Sequence, residues 1–209
     1  MPTAEMFWDK IAQNYAKRPV TDMKSYDLTM ERTRAHLKPD QQALELGCGT
    51  GTTALRLADA VDHFTATDFS AQMITIAQDK AAKQGAGNVT FRQSDIVGAA
   101  AGDSDAPFDV VMAFNLLHLI EDLPEALSAV RDMVKPGGLF ISKSGCLGEK
   151  GVHLRLLIWV MRVFGKAPYV ASLKIREMDD QIAGAGFRII ETRTFPGMAP
   201  SRFVVAQKL

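Results

Sequence analysis

Ala43-Leu44-Glu45-Leu46-Gly47-Cys48-Gly49-Thr50-Gly51 joins a short apolar strand, Gln42 to Leu46, to three glycines at alternate positions. A helical pattern, Thr52 to Ala60, follows at once. Glycine tolerates positive φ and has no Cβ, so such a loop turns sharply and lets a ligand lie against its backbone. A strand–loop–helix unit of this kind faces the crevice at the carboxyl ends of an open α/β sheet.

Outward from this loop, short β-branched runs alternate with longer helical patterns. His63 to Thr67 is the next strand and stops at Asp68. Ser70 is placed to cap a helix through Met73, Ile74 and Ala77 to Gln84, with Gly85 and Gly87 beyond its end. Val89 to Arg92 reads as a third strand. Phe108 to Phe114 reads as a fourth, apolar throughout, as a strand covered on both faces should be. Asp122 to Val134 reads as a helix stopped by Pro136-Gly137-Gly138, and Leu139 to Ser142 as a fifth strand. This rhythm means βαβ units and a parallel sheet. Phe187 to Phe195 and Arg202 to Lys208 are two more strands, separated only by Pro196 to Pro200. A parallel crossover needs a dozen or more residues, so this pair should be an antiparallel hairpin. Glu5 to Lys17 and Ser25 to Leu37 read as helices ahead of the first strand. The expectation is an α/β, Rossmann-like, doubly wound sheet of seven strands. It is mostly parallel with a reversed last strand, and it carries helices on both faces. One domain, 1–209, would divide into an N-terminal helical cap (1–38), a ligand-binding core (39–144), a helical stretch (145–186) and the hairpin (187–209).

The bulk properties narrow the field. The 209 residues are 47% hydrophobic and 23% charged, and 24 Lys and Arg balance 24 Asp and Glu. A chain without net charge has no global field for nucleic acid or an anionic membrane. Cys48 and Cys146 lie far apart and match no metal-ligand spacing, so they read as reduced thiols of a cytoplasmic protein. Met1 to Lys10 carries Glu5 and Asp9 and has no apolar h-region, which speaks against a signal peptide. The longest apolar candidate, Val152 to Gly165, is interrupted by Arg155 and Arg162, so no bilayer span is expected.

The loop also discriminates between nucleotide ligands. A dinucleotide fingerprint would need glycine at 47, 49 and 52, but position 52 is Thr52, and no Lys-Ser or Lys-Thr pair marks a phosphate loop. Glu45, two residues ahead of Gly47, repels a pyrophosphate and suits a cation. Asp68 closes the second strand 17 residues after Gly51, about where an acid reaches ribose hydroxyls. Its other reading is a carboxylate stabilised at a helix N-terminus. S-adenosylmethionine, with a sulfonium and an ammonium beside its ribose, fits both acids.

Glu45 to Gly51 resembles the first motif of class I S-adenosylmethionine-dependent methyltransferases, and four more motifs follow in that family's order. Thr67-Asp68-Phe69-Ser70 with Met73 is similar to the second-strand segment, and Gln93-Ser94-Asp95-Ile96 to the segment after the third strand. Phe108 to Val111 leading to Asn115-Leu116-Leu117-His118 resembles the fourth-strand motif. Leu139-Phe140-Ile141 after Lys135-Pro136-Gly137-Gly138 resembles the fifth. Carried over residue by residue, the resemblance implies S-adenosylmethionine as cofactor and a small-molecule methyl acceptor. Gly47, Gly49 and Gly51, with Glu45 and Cys48, would lie beneath the methionine and ribose. Asp68 would hold the ribose, Phe69 and Met73 would flank adenine, and Asp95 and Ile96 would meet its edge. Asn115 and Leu116 would line the floor. Phe7-Trp8 and Tyr15 are similar to the N-terminal segment of the ubiquinone/menaquinone branch, where a Tyr closes over the methionine end. The other reading of Tyr15 is an aromatic that packs its helix onto the sheet.

The cofactor motifs assign no catalytic residue and no metal. His118, just past the fourth strand, is either a general base or a histidine held beneath the loop. Tyr26 either faces the pocket or packs. Cys146 has no activating partner in the sequence. Val152 to Phe164 is apolar nearly all round, with Arg155 and Arg162 seven residues apart on one face. It reads as a lid over an apolar or amphipathic acceptor, as a transient membrane contact, or as a core helix with snorkelling arginines. Without an N-P-P-Y sequence after the fourth strand or a basic domain, nucleic-acid and protein methylation are disfavoured. A non-catalytic sensor or scaffold for the same cofactor has the same motifs and stays open.

Overall fold

A computed structural model describes residues 3–101, 107–150, 160–162, 167–197 and 199–209. Two helices lead: α1 (Ala4–Lys17), capped by the Thr3 hydroxyl, and α2 (Met23–Arg34), capped by the Asp22 carboxylate. They are followed by β1 (Gln42–Leu46), α3 (Thr52–Leu57), β2 (His63–Asp68), α4 (Ala71–Gln84), β3 (Val89–Gln93) and α5 (Ile96–Ala101). The chain continues through β4 (Phe108–Phe114), α6 (Leu123–Met133), β5 (Val134–Gly145), α7 (Ile175–Gly184), β6 (Phe187–Phe195) and β7 (Ser201–Lys208).

The seven strands form one sheet in the order β3-β2-β1-β4-β5-β7-β6. Pairing is parallel from β3 to β5, and β7 lies antiparallel between β5 and β6. The mostly parallel sheet with a reversed last strand is the architecture expected from the sequence. The order reverses direction between β1 and β4, so their carboxyl ends open a crevice there.

Alternation along the strands divides the core. Ala43, Val110, Met112 and Phe114 face Met30 of α2, Ala54 and Leu57 of α3, and Ile74 and Ala77 of α4. Leu44, Leu46, Val111 and Ala113 face Leu127 and Val130 of α6 and Met178 and Ile182 of α7. Both faces of the sheet are therefore covered, which is why β1 and β4 read as apolar runs.

Several boundaries differ from the sequence reading. Val134 does not end a helix but starts β5, pairing with Phe108. The register then shifts, so that Val110 next pairs with Leu139, and Pro136-Gly137-Gly138 forms an irregularity inside β5 rather than a helix stop. Lys135 anchors this bulge on Asp109, with Nζ 2.9 Å from both carboxylate oxygens. The helical pattern after Gly51 ends at Leu57 and tightens into a 3₁₀ turn over Ala58–Ala60. The Asp22 cap starts α2 two residues earlier than read, at Met23, and the helix ends at Arg34 rather than Leu37.

Phe203 of β7 is fully buried opposite Lys143 of β5 and Arg193 of β6. Replacing it by Ala is expected to cost about 3–5 kcal/mol, the usual cost of emptying a buried Phe site. Urea unfolding checks this. A loss below about 1 kcal/mol would mean that β7 is not held by this packing.

Candidate functional site

Three loop glycines lie in the left-handed region, each for a different reason. At Gly47 (φ 65°) an added Cβ would sit 2.7 Å from Leu116 Cδ1. At Gly49 (φ 53°) it would meet only Tyr15 Cε1, at 3.9 Å, so the space above this residue is open. At Gly51 (φ 75°) it would lie 2.7 Å from the Phe91 ring and 2.8 Å from Ala77. The loop is tied to β2 and folded on itself: Cys48 N–H donates to the Thr67 carbonyl (2.9 Å), and Gly51 N–H to the Cys48 carbonyl (3.0 Å). Across the crevice, Asn115, just past β4, lies at φ 55°, a conformation that Asn tolerates better than most residues. Its N–H donates to the Lys143 carbonyl at 2.7 Å.

A cavity of about 460 Å³ opens between these loops. It is lined by Tyr15, Glu45, Gly47, Cys48, Gly49, Asp68, Phe69, Met73, Asp95, Ile96, Asn115 and Leu116. Gly51, expected beneath the ligand, is not among the lining residues. It packs behind the loop against α4 and β3, where only a glycine fits. Other walls were given no individual site role in the sequence reading. Trp8 lies two helical turns before Tyr15 on the same face of α1, a spacing that was visible but not assigned. Leu119 and Ile120 continue the apolar run past His118. Tyr169 comes from a distant segment without a local signal.

Two acids set the electrostatics. Asp68 is buried and accepts the Gly49 N–H at Oδ2 and the Ser70 N–H at Oδ1, each at 2.9 Å. Burial raises its pKa, these two N–H groups oppose the rise, and nearby Asp9 adds to it. Each oxygen keeps a lone pair for a further donor. Glu45 lies deeper: it is 2% exposed, accepts a hydrogen bond from the Ala54 backbone, and leaves Oε2 without a partner. Burial, then the Asp68 charge, push its pKa up to about 8. An orphaned carboxylate oxygen on a cavity wall is the signature expected of a site for a cation. Tyr15 stands at the rim, and burial followed by the charges of Asp68 and Glu45 raises its pKa. Asp95 caps α5 through the Gly98 N–H (2.6 Å at Oδ1), with its second oxygen uninvolved in that cap.

The acceptor-side candidates fall elsewhere. His118 is not on the cavity wall. Its carbonyl accepts the Ala171 N–H at 2.7 Å, its Nδ1 is buried without a partner, and burial lowers its pKa to about 4. The imidazole is thus neutral at pH 7 and a weak base. Tyr26 also lies off the cavity and stacks under Arg56, whose guanidinium is 5.0 Å from the ring centre. Burial pushes the Cys146 thiol up to about 11, and the Cys48 thiol is likewise buried and raised. Neither is a nucleophile at neutral pH. Arg155, with residues 152–159 and 163–164, lies outside the described residues. Arg162 is engaged with Glu121 (3.1 Å) and sits 5.0 Å over the Tyr169 ring, so its charge meets a protein carboxylate. Among the described residues no cluster of His, Cys, Asp and Glu could hold a metal, and no helix is long and apolar enough to cross a membrane.

Residues 43–138 match the family described as a methyltransferase domain. The chain is 30% identical over 168 residues to the fusarielin synthase of Gibberella zeae, covering 75% of this chain and 6% of that protein. It therefore spans a small fraction of that relative's length. It is 36% identical over 102 residues to the demethylmenaquinone methyltransferase of Leptospira interrogans, covering 47% of this chain and 41% of that one. Among solved structures it is similar to the magnesium protoporphyrin IX methyltransferase of Synechocystis with bound S-adenosylhomocysteine. The TM-score is 0.70, the identity 20%, and 97% and 93% of the two chains are covered.

The raised pKa of Glu45 has a stability consequence. Between the ordinary value of 4.5 and about 8, the folded protein holds a proton that the unfolded chain releases. Stability contributed by this proton is fully present below the lower value and is lost as pH rises through the upper one. The slope is on the order of 1 kcal/mol per pH unit in the ligand-free protein. Glu45→Gln should flatten it, so that its melting temperature exceeds that of the wild type at pH 8.5 but not at pH 5. Thermal unfolding across that range checks this, and parallel curves would show that the carboxyl is not buried as described.

Proposed function

We propose that this chain, a member of the class I S-adenosylmethionine-dependent methyltransferases, transfers the cofactor's methyl group to an apolar or amphipathic small-molecule acceptor. The observation that carries the reading is the partnerless Oε2 of Glu45, in a residue that lines one cavity with Gly49 and Asp68. These residues fit a ligand that presents cationic groups and ribose hydroxyls together.

In this reading Glu45 offsets the positive charge of the methionine end and Asp68 accepts hydrogen bonds from the ribose. Phe69 and Met73 form apolar walls for the adenine, Asp95 and Ile96 meet its edge, and Asn115 and Leu116 lie beneath. Tyr15 covers the open end. When bound, S-adenosylmethionine supplies a methyl carbon already activated by its sulfonium. The protein's task is then in-line positioning and exclusion of water, and a base is needed only for an acceptor that carries a proton. His118 is too weak a base for that role. Leu116, Leu119, Ile120 and Trp8 give the cavity apolar walls, which suits an acceptor such as the one named for the Leptospira relative. In this reading Pro168 and Tyr169 contribute to the acceptor side, and α1 forms part of the cap.

Calorimetric titration with S-adenosylmethionine and S-adenosylhomocysteine tests the cofactor. Micromolar binding that Asp68→Ala weakens by about 1–3 kcal/mol is expected, the cost of a lost hydrogen bond to a charged group. A folded sample that binds neither would overturn the reading. Release of S-adenosylhomocysteine in the presence of apolar acceptors separates an enzyme from a non-catalytic sensor.

A further inference from the structure

The N-terminal helix has little apolar hold on the rest of the molecule. Of its fourteen residues only Ala12 is fully buried, yet it delivers Trp8 and Tyr15 to the cavity. Its polar attachments are specific. Asp9 Oδ1 accepts the Ser70 hydroxyl at 2.5 Å and the Gln72 N–H at 3.2 Å, at the start of α4. The same Ser70 hydroxyl accepts the Met73 N–H at 3.2 Å, and the Ser70 N–H donates to Asp68. Asp68 in turn holds the Gly49 N–H. A single line of hydrogen bonds thus runs from the glycine loop through Asp68 and Ser70 to Asp9.

We propose that Asp9 is a positioning residue that seats α1 over the cavity and couples that seating to Asp68 and the glycine loop. The inference rests on the cofactor reading above. Ser70 makes the coupling obligatory. It is fully buried, and its hydroxyl donates to Asp9 while its N–H donates to Asp68, so a shift of either carboxylate is felt by the other. A cofactor that fills the cavity meets Asp68 and Tyr15 at once, so it binds tightly only when α1 is seated.

Hydrogen exchange of residues 3–17, with and without saturating S-adenosylhomocysteine, reads the seating, and calorimetry reads the affinity. In the wild type the ligand should raise the protection of α1. Asp9→Ala should weaken binding about tenfold, as expected for a lost charge-assisted hydrogen bond, and leave α1 equally exchangeable with and without ligand. Asp9→Asn keeps an acceptor oxygen and should stay within about threefold of the wild type. Ser70→Ala combined with Asp9→Ala should lose less than the sum of the two single changes, because both break the same bond. If Asp9→Ala fails to fold, Asp9→Asn and Ser70→Ala decide: an Asn variant as weak as Ser70→Ala overturns the proposal. Equal affinity and equal ligand-induced protection in Asp9→Ala and wild type also overturn it, while leaving the methyltransferase reading intact. A wild type that binds neither ligand fails the cofactor reading instead.

Discussion

Three left-handed glycines at alternate positions have a large conformational freedom to lose, and they carry no side chains of their own to restrain it. The Asp68 carboxylate supplies the restraint by accepting the Gly49 N–H with one oxygen and the Ser70 N–H with the other. It can do so because the parallel register sets Leu46 beside Thr67, so that β1 and β2 end together and the loop begins where the acid stands. The Cys48 N–H to Thr67 carbonyl bond extends that pairing one step past the strand. The carboxylate thus joins the loop to Ser70, whose hydroxyl in turn caps α4 and meets Asp9 of α1.

Holding two acids in one buried place is unfavourable in the ligand-free molecule. Desolvation and the Asp68 charge keep Glu45 protonated near neutrality, and Asp9 makes the ionisation of Asp68 harder still. A structure selected for stability alone would place apolar side chains or paired charges here. The acids make sense if a cation completes the site, because any ligand that binds only the folded state returns stability by mass action. Buried groups that are incompletely satisfied without a ligand mark the places where local consistency gives way to binding.

The cofactor half of the molecule was legible because its signals are local. Strand, glycine loop and acid lie within 26 residues, from Ala43 to Asp68, and each residue type has a backbone or charge reason for its place. Legibility failed where a long-range partner decides the outcome. Gly51 looks identical to Gly47 and Gly49 in the sequence, but the Phe91 ring and Ala77 behind it make it a packing residue. Pro136-Gly137-Gly138 carries every sign of a helix stop. The pairing of Val134 with Phe108 draws it into β5, and the register shift on β4 absorbs the extra residues. His118 stood next to the expected chemistry along the chain, and only the packed structure shows its imidazole buried off the cavity wall.

The acceptor side was obscure for a related reason. The segment that contributes Tyr169 is fastened to the loops after β4 and β5 by backbone bonds, Ala171 N–H to the His118 carbonyl (2.7 Å) and Gly148 N–H to the Leu173 carbonyl (2.8 Å). Backbone bonds of this kind hold a segment in place without specifying its side chains. Residues such as Tyr169, or the Arg162 and Glu121 pair beside it, can therefore change while the sheet, the glycine loop and Asp68 stay as they are. A cofactor site built from local backbone requirements must repeat its residue types, whereas an acceptor wall hung on main-chain bonds need not. The same division explains why the motifs name the cofactor and leave the acceptor to experiment.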